Sequence, residues 1–274
     1  MNKLSLAIAL GTGLTLSAVS STAFADKMTT TPAVIQTLAT PELTASQFNA
    51  LFHPINDAPA ITSDIKFFDS PVSGALRSQV FAGGIDAKSG MDATGLYAYA
   101  YQLSVNNVTN SLGEPVHIDS ASWQFNATPT GTDFAGVGKP TYAYVIKDHA
   151  IGNLIDPAAA GASVRVPATL SWSPGTKIGA IRADYVDPVN QTQPLTGGDS
   201  SATFVVISKQ PWSATFQHAG ILSSNPQEGA PAVYAAAGGA ISPVPVPEPA
   251  TLLVWAGMAG AAVLVRRVRK ARTA

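Results

Sequence analysis

The chain has 274 residues, no cysteine and a formal net charge of −1, and only 12% of its residues are charged. The missing cysteines exclude a disulfide framework, thiolate metal sites and a thiol nucleophile. The charged share is about half the usual one, and Arg266, Arg267, Arg269, Lys270 and Arg272 crowd the last nine residues, so no basic stripe is left for nucleic acid.

The N-terminus has the order of a secretory signal peptide. Lys3 supplies the positive start, residues 4–20 an apolar run, and Ala23-Phe24-Ala25 a small-x-small cleavage site. A signal peptide over residues 1–25 is expected, with Ala23 and Ala25 read by signal peptidase and Asp26 as the new N-terminus. Residues 26–60 are expected to be irregular, being low in charge, rich in Thr, Ala and Pro, and weakly periodic. They include a short helix around residues 41–52, with Glu42 and Thr44 in its opening turn.

From about Ile61 the pattern turns to strands. Tyr97, Tyr99 and Tyr101 recur at period two within residues 96–105 and place a ladder of rings on one face. Residues 116–127 alternate through His117, Asp119, Ala121, Trp123 and Phe125. Further strands are expected over 141–147, 164–172, 177–185, 201–208 and 212–219. Gly113-Glu114-Pro115, Pro174-Gly175, Asp187-Pro188 and Gly197-Gly198-Asp199 mark turns between them. Many short strands without a long helical pattern indicate an all-β body, an antiparallel β-sandwich over residues 61–234. A Gly-, Ala- and Pro-rich linker is expected over 235–245.

The C-terminus carries three features in order. Val246-Pro247-Glu248-Pro249 closes a run of alternating prolines, which favours extended polyproline II and leaves Glu248 open to an enzyme. Residues 250–265 are free of charge and would rise about 24 Å as a helix, slightly short of a bilayer core, a gap that snorkelling arginines close. The basic cluster then belongs on the cytoplasmic side, which puts the body outside. A single C-terminal transmembrane helix over 250–265 is expected, within a signal covering 246–272.

This three-part order closely resembles the PEP-CTERM sorting signal of exported proteins in Gram-negative, polysaccharide-producing bacteria. The resemblance covers about the last thirty residues. It implies that exosortase, a membrane sorting enzyme, is a partner alongside signal peptidase. Pro247, Glu248 and Pro249 match the recognition motif. The protein would be held transiently in the membrane by its C-terminal helix, then reach the cell envelope or the medium. In this role the chain is a substrate, and these residues are not catalytic.

The body offers little chemistry. Ser63-Asp64-Ile65-Lys66 fits a Ser-x-x-Lys pattern but lacks companion motifs, and no Gly-x-Ser-x-Gly occurs. His53, His117 and His149 have Asp57, Asp119 and Asp148 near them in sequence. His218 has none, and no zinc or calcium motif is present. No catalytic residue, metal or cofactor is nominated. The sequons at Asn107, Asn126 and Asn190 carry no weight. The leading expectation is a non-enzymatic cell-surface or extracellular-matrix protein. A polysaccharide-binding module, with exopolysaccharide stacked on Trp123, Trp172, Trp212 or the tyrosine ladder, is the alternative. A matrix-polymer hydrolase with paired carboxylates comes third.

Overall fold

The computed structural model describes residues 35–55, 60–66, 71–110, 113–159, 164–174, 179–186, 193–223 and 233–243. They begin with β1 (Gln36–Leu38), a helix α1 (Ala45–Leu51) and β2 (Phe52–Pro54). β3 (Ile61–Lys66), β4 (Val72–Gly83) and β5 (Tyr97–Val105) form an antiparallel meander. Short pieces follow: β6 (His117–Ile118), β7 (Ser120–Gln124), β8 (Ala143–Ile146) and β9 (Val164–Arg165). Then come β10 (Thr169–Ser173), β11 (Ala180–Asp184), β12 (Leu195–Thr196) and β13 (Ser200–Ser201). β14 (Thr203–Ser208), β15 (Trp212–Ser223) and β16 (Val233–Pro243) complete the order.

Two main sheets result. One runs β1-β10-β11-β7-β15-β16, all antiparallel. The other runs β2-β4-β5-β13-β9, with β3 also paired to β4, β14 to β5 and β8 to β14. Its β13–β9 pair is parallel. β12 and β6 form a small third sheet. The all-β expectation with antiparallel sheets holds.

β5 shows why these residues make strands and how the layers meet. Its tyrosines, Leu103 and Val105 alternate with Ala98, Ala100, Gln102 and Ser104, so rings leave one face and small or polar groups the other. The ring face meets the first sheet across a shared core that includes Leu76, Val80, Leu170, Ile181 and Phe204. Trp123 of β7 lies 4.6 Å from Tyr101 and 5.3 Å from Phe204, centroid to centroid. The opposite face builds a second core. Ala98 and Ala100 leave room there for Phe48, Leu51, Phe52, Phe81, Val205 and Ile207. Phe48 stacks on Phe52 at 5.1 Å and meets Phe81 edge-on at 5.0 Å. With both faces covered, burial along β5 is nearly continuous.

α1 is short enough to need its caps. Thr44 Oγ1 accepts from Gln47 N at 3.2 Å, and Thr44 N donates to Gln47 Oε1 at 3.0 Å, a reciprocal capping box. Asp148 adds a carboxylate to Ala45 N at 3.0 Å from across the fold, where the helix dipole favours negative charge. The helix buries Ala45, Phe48 and Leu51 and stops where Phe52 turns extended to start β2.

Several boundaries differ from the sequence expectation. Within residues 26–60, expected to be irregular, β1, α1 and β2 belong to the body; the helix expected around 41–52 is present but starts later, with Thr44 as its N-cap and Glu42 outside it, bridged to Val145. Residues 235–245, expected to be a linker, lie largely in β16. Their Ala and Gly have low strand propensity, but pairing with β15 supplies the order that propensity does not. The strand expected over 164–172 is two: Pro167, which has no N–H to donate, separates β9 in one sheet from β10 in the other. β4, twelve residues long, was not singled out in the sequence because both its faces are buried and its alternation is lost.

Candidate functional site

The sites nominated from sequence fall into two groups. Ala23, Ala25, Val246, Pro247, Glu248, Pro249, the helix over 250–265 and the basic cluster lie outside the described residues. Among the described residues, no helix is long and apolar enough to cross a membrane. The remaining candidates are in the body.

His117 and Asp119 do come together, Nε2 to Oδ1 at 3.7 Å, on side chains only 15% and 13% exposed. The pair is more enclosed than a solvated surface pair. No third ligand joins it, and no group of three His, Cys, Asp or Glu converges anywhere among the described residues. His149 reaches Asp156 at 3.8 Å on an exposed loop. Its sequence neighbour Asp148 is turned to the cap of α1. His53 is exposed on β2, Asp57 lies outside the described residues, and His218 lies in β15.

The Ser-x-x-Lys pattern sits on β3, where the spacing defeats it. Residues three apart share a face on a helix but point to opposite faces of a strand. Ser63 is buried with Ile65, whereas Asp64 and Lys66 face outward. The two side chains cannot act on one substrate atom.

The aromatic candidates for sugar stacking are mostly spent on packing. Tyr99 and Tyr101 are fully buried, and Trp123 and Trp172 nearly so. Trp212 is half-buried against the shared core. The exposed coplanar platform that sugar binding requires is not formed by these rings.

Other polar groups hold the body's own loops. Asp133 borders a shallow hollow of about 270 Å³ with Gly131, Thr132, Gly138, Lys139 and Pro140. Its oxygens accept from Val137 N at 2.8 Å and Gly138 N at 3.0 Å. Hydrogen bonds from Ser89 and the Lys88 amide hold the Asp86 carboxyl below its usual range, and Thr94 does the same for Asp92. Two buried glutamines pin the segment after β8 to the sheet: Gln79 Oε1 accepts from Asn153 N at 2.8 Å, and Gln102 Nε2 donates to Ile155 O at 3.0 Å. Arg77, half-buried beside them, donates to Ser104 Oγ at 2.9 Å. Burial lowers its pKa, and Asp64 opposes that.

The arrangement closest to the sorting motif is the end of β16. Pro243 stands in register with Trp212 at the start of β15. Two residues inward, the strand is fastened to the opposite sheet. Ile241 N donates to Ser78 Oγ at 3.0 Å, and Tyr101 OH donates to Ile241 O at 2.8 Å. Ile241 is 2% exposed, so both bonds are shielded from water. Sequence reasoning missed this latch; the lone large apolar residue in an Ala/Gly run was the available signal.

Burial raises the Tyr101 phenol far above its usual pKa, so it remains a donor at any ordinary pH. Burial does the same to Tyr99, helped by Tyr101 and Tyr97, and to Tyr185. In the unfolded chain these phenols ionise near pH 10. Their protonated forms therefore support the fold fully below about pH 10, and that support is lost as pH climbs further. In a spectrophotometric titration, phenolate absorbance from these three is expected only together with loss of the near-ultraviolet dichroism. Reversible ionisation near pH 10 of all seven tyrosines in a still-folded protein would contradict their burial.

Comparison with protein-family models, with curated proteins and with solved structures returned no match. The fold on its own defines an all-β protein.

Proposed function

We propose that this is an exported, non-enzymatic protein of the cell surface or extracellular matrix, sorted by exosortase at Pro247-Glu248-Pro249. The observation that carries the reading is the order at the C-terminus: a Pro-Glu-Pro motif, a charge-free stretch over 250–265, then five basic residues, in a chain that opens with a signal-peptide pattern. Membrane insertion of residues 250–265 would present the motif at the outer surface, where an enzyme can reach it. The two facing sheets are read as a β-sandwich serving as the delivered body. Its buried rings fill the cores, and carboxylates such as Asp148 and Asp133 serve a helix cap and a loop anchor, which suits a structural or adhesive component.

The test is the intact mass of the exported protein from cells with and without the sorting enzyme, for wild type and Glu248→Ala. A mature form starting at Asp26 and ending near Pro249 is expected, and it should be lost in both controls. A mature protein that keeps its Arg-rich tail in every strain would make the segment a permanent anchor and end the sorting reading.

A further inference from the structure

We infer that the latch on Ile241 fixes how far the sorting motif can stand from the folded body, and that processing depends on this short span. The inference rests on the sorting reading above and concerns how the same motif is presented.

The geometry is covalent at one end and packed at the other. Pro243 is the last residue of β16, and Glu248 follows it by five residues. Five residues span at most about 18 Å in any conformation. A body of roughly 210 residues has a radius of gyration near 17 Å, so the reach of the motif is no larger than the body it leaves. The starting point of that reach is fixed. Ile241 is held on both its backbone groups by Ser78 and Tyr101, side chains of the opposite sheet. The turn beside it is fixed as well, because Tyr99 OH donates to Gln210 O at 2.8 Å just before Trp212.

Two consequences follow. The end of the body that carries Pro243 and its register partner Trp212 is the end from which the motif leaves, so it is this end that faces the sorting enzyme. Any shortening of the span must also be met by peeling residues 241–243 off the body. That breaks two shielded hydrogen bonds and exposes Ile241, enough to slow processing about tenfold or more.

The experiment follows tail removal over time, by intact mass of the full chain in cells holding the sorting enzyme. Deleting Val244 and Pro245 keeps Pro243-Val246-Pro247-Glu248-Pro249 as an unbroken alternating run and removes two residues of reach. This deletion is expected to slow cleavage about tenfold, whereas eight Gly/Ser residues inserted after Pro243 should leave it at least as fast as wild type. Tyr101→Phe, which releases one side of the latch, should restore much of the rate lost by the deletion. Ser78→Ala releases the other side and serves as a second arm if the Tyr101 variant does not fold, as checked by thermal melting. Cleavage of the deletion variant at the wild-type rate, or no rescue by either latch variant, would overturn the inference while leaving the sorting reading intact. A wild-type chain that is never cleaved would overturn both.

Discussion

Trp123→Ala is expected to lower the unfolding free energy by about 3–5 kcal/mol, the usual cost of removing a large buried ring. The side chain is 2% exposed and comes from β7 in one sheet. Its two ring partners, Tyr101 and Phe204, come from β5 and β14 in the other. Those partners also lie 6.0 Å from each other, so the three rings form one cluster across the gap between the sheets. Truncation therefore leaves a void that neither sheet can close alone, because each is held at its spacing by its own hydrogen-bond ladder. A domain of this kind has only about 5–15 kcal/mol in total, so a large fraction of its stability would go. Urea unfolding followed by far-ultraviolet dichroism measures the change. Trp123→Phe, which keeps a ring between Tyr101 and Phe204, should recover most of it. A loss below about 1 kcal/mol for the alanine variant would mean that the two sheets do not depend on this cluster.

The second large effect concerns two adjacent glycines. A Cβ on Gly83 would stand 2.0 Å from the carbonyl oxygen of Ala93 and 2.8 Å from its carbon. Those are backbone atoms of the fully buried Ala93 and have no rotamer to give way. Gly83 is also tied down on its own side, pairing with Phe52 across β2 and donating from its N–H to Leu96 O at 2.8 Å. Gly83→Ala is expected to cost about 1–3 kcal/mol through overpacking, toward the upper end because the obstacle is main chain. At Gly84 the nearest atoms to a new Cβ belong to His53 and Leu51 at 3.8 Å, an ordinary contact. Gly84→Ala is expected to be near neutral, or to stabilise by a few tenths of a kcal/mol through a less flexible unfolded chain. Thermal melts of the two variants side by side would show the contrast. Equal melting temperatures would contradict the close approach of the strand to Ala93.

The same contrast runs through the whole molecule. Much of the body was legible in one dimension. The period-two tyrosines of β5, the alternation around Trp123 and the apolar run of β14 (Thr203–Ser208) marked strands, because a pleated strand sends neighbours to opposite faces. Turn residues such as Gly113-Glu114-Pro115 and Gly197-Gly198-Asp199 placed breaks between them. The helix at Ala45–Leu51 was visible through Thr44 at its start. β4 and β16 were not. β4 is buried on both sides and shows no alternation, and β16 is built from Ala and Gly whose local preference is weak. Both exist because neighbouring strands satisfy their backbone groups, and nothing local in the sequence records who those neighbours are.

By itself, then, the sequence determined an all-β body without disulfides, and it wrote the three-part C-terminal order in contiguous residues, where composition and spacing are enough to read it. The tertiary structure alone decided that Tyr99, Tyr101 and Trp123 face inward as core. It also decided that Ser63 and Lys66 point apart, that Gly83 is constrained and Gly84 is not, and that Ile241 is latched by Tyr101 and Ser78 from 140 and 163 residues away. These are questions of which face a strand turns to which sheet. Such pairings join residues far apart in the chain, and only the packed arrangement of both sheets fixes them.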